Sequence, residues 1–479
     1  MTSLVWFRKD LRINDNPALV KACESQTVKA VYIDAFEQNR EHQQAPIQRD
    51  FIEKNLRHLA VALAEKGIEL EVIETDHFSD IPELLAEYCN HHSIEQVFAN
   101  RESGVNEQLR DQQVEALLPI PLAIFHSQCI IPEGHLNTGK GEMFKVFTPF
   151  SRAWLKQLQL SGYNFFAAPK PVGKPIKLSI QTAQNTLSLR PFYPDTNSNS
   201  SDYWGAGEAA AKKQLEQFCQ QKLLDYDQDR DFPAIDGTSE ISPYLAIGVL
   251  SANQCLAAIA QAIGHLPLSK GEQGFCWMNE LIWRDFYHHL MYAYPRLSMN
   301  RAFKPETEGL KWNSNKQDFK RWCEGMTGFP IVDAAMRCLN QTGWMHNRLR
   351  MIIASFLCKD LHLDWRWGES YFMSQLIDGE LAANNGGWQW AAGTGADAAP
   401  YFRVFNPTTQ GQRFDADGSF VKQWLPELAC VPIKQVHSPH DWLNQHQPEH
   451  NYPAPIVDHK LARIAAIEMF AALKSAPPE

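Results

Sequence analysis

The stretch IQRDFIEKNLRHLAVALAEKGIELEVI, residues 47–73, decides the fold of the amino-terminal part. From residue 47 to residue 66 apolar positions recur every three or four residues, which predicts a helix with one buried face. Gly67 stands where such a helix stops, and residues 69–73 read as a short strand. Outward from this core, β-rich runs lie at residues 3–7, 27–33, 96–99 and 121–126, with a second clear helix at 81–91. Strand and helix patterns alternate, which predicts an α/β domain over residues 1–130: a doubly wound parallel sheet with helices on both faces. No GxGxxG follows the first strand, so no dinucleotide is expected there in the usual way.

Residues 131–203 differ in kind. Pro169, Pro171, Pro175, Pro191 and Pro194 punctuate them, and the polar run DTNSNSSD closes them at 195–202. They read as a long connector, helical near residues 149–160. From Trp204 strand patterns nearly vanish, and residues 207–219, 242–263, 274–292, 331–341, 349–361 and 369–376 carry helical spacing. The part from 204 to 479 is therefore expected to be an all-α domain, and no internal repeat is visible.

With 479 residues, 44% of them hydrophobic, the chain can bury large cores without disulfides or structural metals. Three charges within the first ten residues leave no room for a signal peptide, and no apolar run approaches the ~18 residues of a membrane span. The ten Cys are scattered, with no CxxC pair and no Cys/His spacing suited to zinc; they read as reduced thiols, with no metal. The expected location is the cytoplasm, with no membrane partner. A net charge of −10 argues against nucleic acid. Locally the balance reverses, since residues 284–413 hold 15 Lys and Arg against 12 Asp and Glu. A basic stripe of this kind is enough to engage phosphates.

Nine of the fourteen Trp fall within residues 277–390, where the chemistry-bearing motifs also lie. In WMNELIWRDFY (277–287), helical spacing puts Glu280, Trp283 and Tyr287 on one stripe and Trp277, Leu281 and Arg284 on the next. An aromatic beside a carboxylate and a hydroxyl can seat a nucleobase; an aromatic core helix with Glu280 paired to Arg284 explains the same letters. In GWMHNRLRM (343–351), Asn347, Arg350 and Met351 share a face from which Arg348 points away, and His346 reads as structural. In QLIDGELAANNGGWQW (375–390) two acids flank a Gly, followed by paired Asn, paired Gly and two Trp. A surface turn explains the Gly but not the crowding of Asn and Trp. Finally, DGTSEISPYL (236–245) puts Thr238, Ser239 and Ser242 at a helix start, as a cap or as a phosphate cradle, shortly after Tyr226.

Taken together these motifs resemble the cryptochrome/photolyase family, and within it the bacterial class I enzymes acting on cyclobutane pyrimidine dimers. The resemblance runs from VWFRKDLR (5–12) to NPTTQG (406–411), and is most specific at residues 279–287, 342–351 and 371–390. It implies a carbon–carbon lyase that repairs pyrimidine dimers in light, by electron transfer from excited reduced FAD (FADH⁻) to a flipped-out dimer. It implies that FAD is lined by Tyr226, Thr238, Ser239, Glu240, Ile241, Ser242, Trp277, Arg284 and Asn347. Arg350 is then expected to pair with Asp378. Asp378, Gly379 and Glu380 face the flavin ring on this resemblance, and Asn384 stands opposite its N5. The dimer pocket it implies is Glu280, Trp283, Tyr287, Asn347, Met351 and Trp390, with Glu280 bonded to the pyrimidine carbonyls, and Arg230, Arg348 and Gln410 contact the DNA strand. Trp388, Trp365 and Trp312 match an electron-transfer chain from flavin to surface.

Asn106 and Glu107 match the site of a folate antenna, 5,10-methenyltetrahydrofolate. Met299 departs from that pattern, standing where a Lys helps to hold the folate, and Glu380 stands where relatives commonly have Asp. The substrate implied is damaged DNA, single- or double-stranded, bound by a monomer with no obligate protein partner. The alternative reading is a cryptochrome-type blue-light photoreceptor; Asn384, the Glu280 pocket and the lack of a long tail after Lys474 stand against it. A photolyase for (6-4) photoproducts uses a pair of His where this chain has Asn347 and Met351.

Overall fold

The computed structural model describes residues 1–192 and 200–475. Pro194 and positions 195–199 of the polar run lie outside them, as do residues 476–479. By packing, the chain divides into two units. One comprises Met1–Leu224, Ser239–Met299 and Ile377–Ala382; the other comprises Asp225–Thr238, Asn300–Leu376 and Ala383–Glu479.

The first unit contains a five-stranded sheet of β1 (Thr2–Phe7), β2 (Thr27–Ala35), β3 (Leu70–Thr75), β4 (Gln96–Asn100) and β5 (Leu122–Phe125). The order is β3-β2-β1-β4-β5 and every pairing is parallel, with Val5 opposite Ala30 on one side and Phe98 on the other. The helix expected over residues 47–66 spans Pro46–Ala64, and that at Ile81–His91 has the bounds its periodicity predicts. Gly67 has φ 79°, and a Cβ there would lie 2.7 Å from the backbone of Gly173, so only glycine lets the connector pass so close. The connector then pairs its backbone with the helix end, Val172 N–H donating to Lys66 O at 3.0 Å.

In a doubly wound sheet the ligand crevice opens where the strand order reverses, here between β1 and β4. Side chains at and beyond the ends of these two strands are bonded to one another. Arg8 donates to both oxygens of Asp111 at 2.6 and 2.7 Å, Arg110 donates to Glu102 at 2.9 Å, and Asn100 donates to Asp10 at 2.6 Å. Both guanidinium groups lie 4.7 Å from the Trp6 ring.

The same unit carries the helices Phe147–Ser161, Glu208–Gln221, Ala252–Ile263 and Phe275–Ala293. Buried Asp285 ties the connector to the last of these: it accepts from Ile130 N–H at 3.0 Å, Ile131 N–H at 3.2 Å and Trp154 Nε1 at 2.8 Å. The periodic run 242–263 is not one helix. It breaks into Ser242–Ala246 and Ala252–Ile263, because Gly248 turns with φ 72° against the backbone of Lys9 and Asp10. Ser251 then caps the second helix in a reciprocal box with Gln254.

The second unit is helical, built on Pro330–Thr342, Asn347–Ser355, Trp365–Gln375, Pro407–Phe414 and His459–Ser475, while Leu381–Ala392 begins at its boundary. Its core is one apolar cluster that includes Trp322, Trp365 and Trp388 at 0–2% exposure. The helix predicted from residue 349 starts at Asn347, capped by His346, whose ring accepts from Arg348 N–H at 3.1 Å. Its far end widens into a π turn, Phe356–Asp360.

Candidate functional site

In the first unit the helix Phe275–Ala293 distributes its side chains as its stripes predict. Trp277 and Leu281 are buried, whereas Glu280, Trp283 and Tyr287 are half-buried. Trp283 stacks on Phe147 with centroids 3.6 Å apart and planes 3° from parallel, so Phe147 backs one face of the ring. Trp277 packs on Phe218 at 4.9 Å. Arg284 commits its two terminal nitrogens, one to Gln128 O at 2.5 Å and the other to Glu380 at 2.7 Å.

The segment from Ile377 to Glu380 is buried in this unit, which removes the surface-turn reading. Gln48 pins it through donation to Ile377 O at 3.1 Å and Gly379 O at 2.8 Å. Asp378 accepts from Ser242 Oγ at 2.6 Å. Ser242 is therefore not an N-cap. The cap position of its short helix is Ile241, which offers no side-chain oxygen, and the hydroxyl serves the acidic loop instead. Next to it Glu240 holds φ 50°, a strained value for a residue with a side chain.

Glu380 has a second basic neighbour that sequence reasoning missed. His288 Nε2 lies 3.0 Å from its carboxylate, and burial alone would raise its pKa, but Arg284 and His288 outweigh burial and hold it near 2. The one sequence signal for His288 is its i,i+4 relation to Arg284 on the same helix, which could have suggested a shared partner.

The candidate antenna residues also lie in this unit. Asn106 is exposed and lies within 3.0 Å of His42 Nε2, and Glu107 is buried.

In the second unit Asn384 donates its amide nitrogen to Glu369 O at 2.9 Å, which turns the amide oxygen away as an acceptor. Asn385 donates to the Glu369 carboxyl at 2.9 Å, and burial pushes that carboxyl up to about 7. Trp388 and Trp365 are buried at 2% and 1%, while Trp312 is half-buried and packs against the same cluster, a gradation from core toward surface. Arg348 donates to Asp231 at 2.7 Å and lies over the Phe414 ring at 4.3 Å. Arg230 lies 5.4 Å from the Tyr226 ring. Asn347 is exposed, and Arg350, Met351, Trp390 and Gln410 are half-buried.

The first unit thus holds a parallel sheet and buried acid–base contacts at the motifs, and the second is helical and rich in tryptophan. Comparison with known proteins gives the class to which these parts belong. Residues 3–174 match the family model "DNA photolyase" and residues 277–472 match "FAD binding domain of DNA photolyase". The chain is 48% identical to the deoxyribodipyrimidine photo-lyase of Escherichia coli (strain K12), over 99% of each chain. Among solved structures it is similar to a bacterial class III photolyase from Agrobacterium tumefaciens (TM-score 0.86, 34% identity, 99% and 98% covered). It is also similar to a cryptochrome from Synechocystis sp. PCC6803 (TM-score 0.84, 29% identity, 98% and 99% covered). The chain belongs to the DNA photolyase family.

Proposed function

We propose that this protein is a deoxyribodipyrimidine photo-lyase: it binds FAD and splits cyclobutane pyrimidine dimers in DNA with light. Bound as its reduced form, FAD supplies on illumination the electron that opens the cyclobutane ring and then takes it back. The observation that carries this reading is the orientation of Asn384, whose nitrogen is anchored on Glu369 O while its oxygen keeps its acceptor capacity. An amide acceptor suits a flavin that carries a proton on its ring nitrogen, and no formal negative charge is placed there.

The remaining donors suit the same group. Thr238, Ser239 and Ser242 supply hydroxyls for its phosphates, beside Glu240 and Ile241, and Trp277 and Tyr226 supply rings. Arg284, Asn347, Arg350 and the loop 378–380 bind and orient it. For the lesion, Trp283 and Trp390 offer faces and Met351 a flexible apolar edge, beside Tyr287 and Asn347. In its protonated form Glu280 donates its O–H to a pyrimidine carbonyl and stabilises the negative charge that develops there. Arg230, Arg348 and Gln410 hold the DNA strand, and Trp388, Trp365 and Trp312 pass electrons between core and surface. Asn106 and Glu107 would carry a second, light-gathering chromophore. We take the protein to act as a monomer in the cytoplasm; among the described residues no helix is long and apolar enough to cross a membrane.

The cryptochrome similarity makes a photoreceptor the second reading. A binding assay in the dark separates the two. The repair reading predicts that the yellow, flavin-loaded protein prefers a thymine-dimer oligonucleotide to the undamaged one, by far more than tenfold. Equal affinity for the two would refute it.

A further inference from the structure

Arg284 alone would neutralise Glu380, yet His288, one turn along the same helix, faces the same oxygen at 3.0 Å. Beyond His288 the polar atoms continue in a line inside the first unit. His288 Nδ1 lies 3.2 Å from Ser103 Oγ, and Ser103 Oγ donates to Glu133 Oε1 at 3.0 Å. The other Glu133 oxygen lies 2.9 Å from Nδ1 of His126, whose side chain is 28% exposed. Glu380, His288, Ser103 and Glu133 are all buried. A polar line therefore runs from Glu380 to solvent.

Hydrogen counting fixes the direction of these bonds. Ser103 has one proton, and both Glu133 and Gln128 present an oxygen to it, at 3.0 and 3.3 Å. Its oxygen must then accept from His288 Nδ1. On the other side an ionised Glu380 can only accept, so His288 meets an acceptor at each nitrogen. The Nε2 contact is an ion-pair approach rather than an aligned hydrogen bond, since that nitrogen meets no hydrogen-bond geometry. Burial alone would raise the Glu133 pKa, but His126 and His288 overcome it and hold the carboxyl near 2. Cys129, Glu133 and His288 also bring one potential ligand atom each within 4.8 Å of one another. The Ser103 hydroxyl already bonds two of them, so the residues build a hydrogen-bonded line, not a vacant cage.

We propose that His288 is a positioning residue: together with Arg284 it holds the flavin-facing carboxylate of Glu380 by one oxygen, and Ser103, Glu133 and His126 in turn fix His288. This rests on the reading that FAD binds with Glu380 facing its ring. A carboxylate with a single cationic partner leaves more negative charge beside the flavin and opposes its reduction. Two partners relieve that and fix where the charge sits.

The test uses the flavin-loaded protein and reads the flavin midpoint potential against a reference dye, with the infrared carboxylate band of ¹³C-glutamate-labelled protein alongside. In His288→Gln the ratio of reduced to oxidised flavin at a fixed reductant level should fall about tenfold or more, the scale of one charge nearby in a medium of effective permittivity near 20. The Glu380 band should move with it. Restoring the cation in His288→Arg should restore the ratio. Ser103→Ala, which cuts only the supporting line, should shift the potential in the same direction by a smaller factor, and covers the case in which His288→Gln does not fold. An unchanged potential and band in Ser103→Ala and in any folded His288→Gln would overturn the proposal. So would stoichiometric zinc in the purified protein, held by Cys129, Glu133 and His288. Failure of the wild-type protein to split dimers would instead refute the repair reading, with the potential shift still readable.

Discussion

Gly368 is the position at which packing most directly controls Trp388. It lies in the helix Trp365–Gln375, and a Cβ built on it would fall on ring atoms of Trp388, well inside contact distance. The ring cannot retreat easily. It is 2% exposed, with Phe372 at 5.0 Å and 85° and Trp322 at 6.1 Å and 70°. For Gly368→Ala two terms compete. Alanine gains about 1 kcal/mol of helix propensity over glycine. Overpacking a filled core costs about 1–3 kcal/mol, and with two rings behind Trp388 the upper part of that range applies. The net expectation is a loss of about 1–2 kcal/mol in unfolding free energy, read by urea titration of Trp fluorescence. A displaced Trp388 should also slow photoreduction of oxidised flavin by a thiol reductant under blue light, while protein reduced beforehand repairs normally. A variant as stable as the wild type that photoreduces at the same rate would refute the assignment of this contact.

Other outcomes follow from the same geometry. Burial lifts Glu369 from its ordinary 4.5 to about 7, so the folded protein keeps a proton that the unfolded chain releases. Its contribution is complete below about pH 4.5 and fades as pH rises through 7. Wild-type stability should therefore lose about 2–3 kcal/mol from this group between pH 5 and 8. Glu369→Gln should lack that loss in chemical denaturation at the two pH values. Arg348→Ala should weaken DNA binding on any sequence and lower the salt slope of the affinity by about 1, measured by titration at several salt concentrations. Glu280→Ala should keep its flavin spectrum but lose repair yield per absorbed photon, whereas Trp388→Phe should lose photoreduction and keep repair once reduced.

The sheet was legible because each strand is a short β-rich run ended by polar residues, and all five fall within a few residues of their expected places. The broken helix after residue 242 was legible in principle. Gly248 and the Ser251–Gln254 box mark the break, but periodicity runs through both and masks it. His346 as a cap was less accessible, since His is not a usual capping residue. At the site, Arg284, Asp378, Glu380 and Asn384 announced themselves through motif density. The line behind Glu380 did not, because Ser103 and Glu133 lie 185 and 155 positions before His288 and the long connector brings them together. Burial and partners, rather than spacing, reveal such a cluster.

The most direct test of the central claim is a single illumination. Protein with fully reduced flavin is mixed with an oligonucleotide carrying one thymine dimer, exposed to near-ultraviolet or blue light, and followed by the return of thymine absorbance. A photo-lyase gives absorbance that rises with light dose, stops in the dark, and reaches full conversion over many turnovers. Flavin that is bound, reduced and excited without any return of thymine absorbance would contradict it.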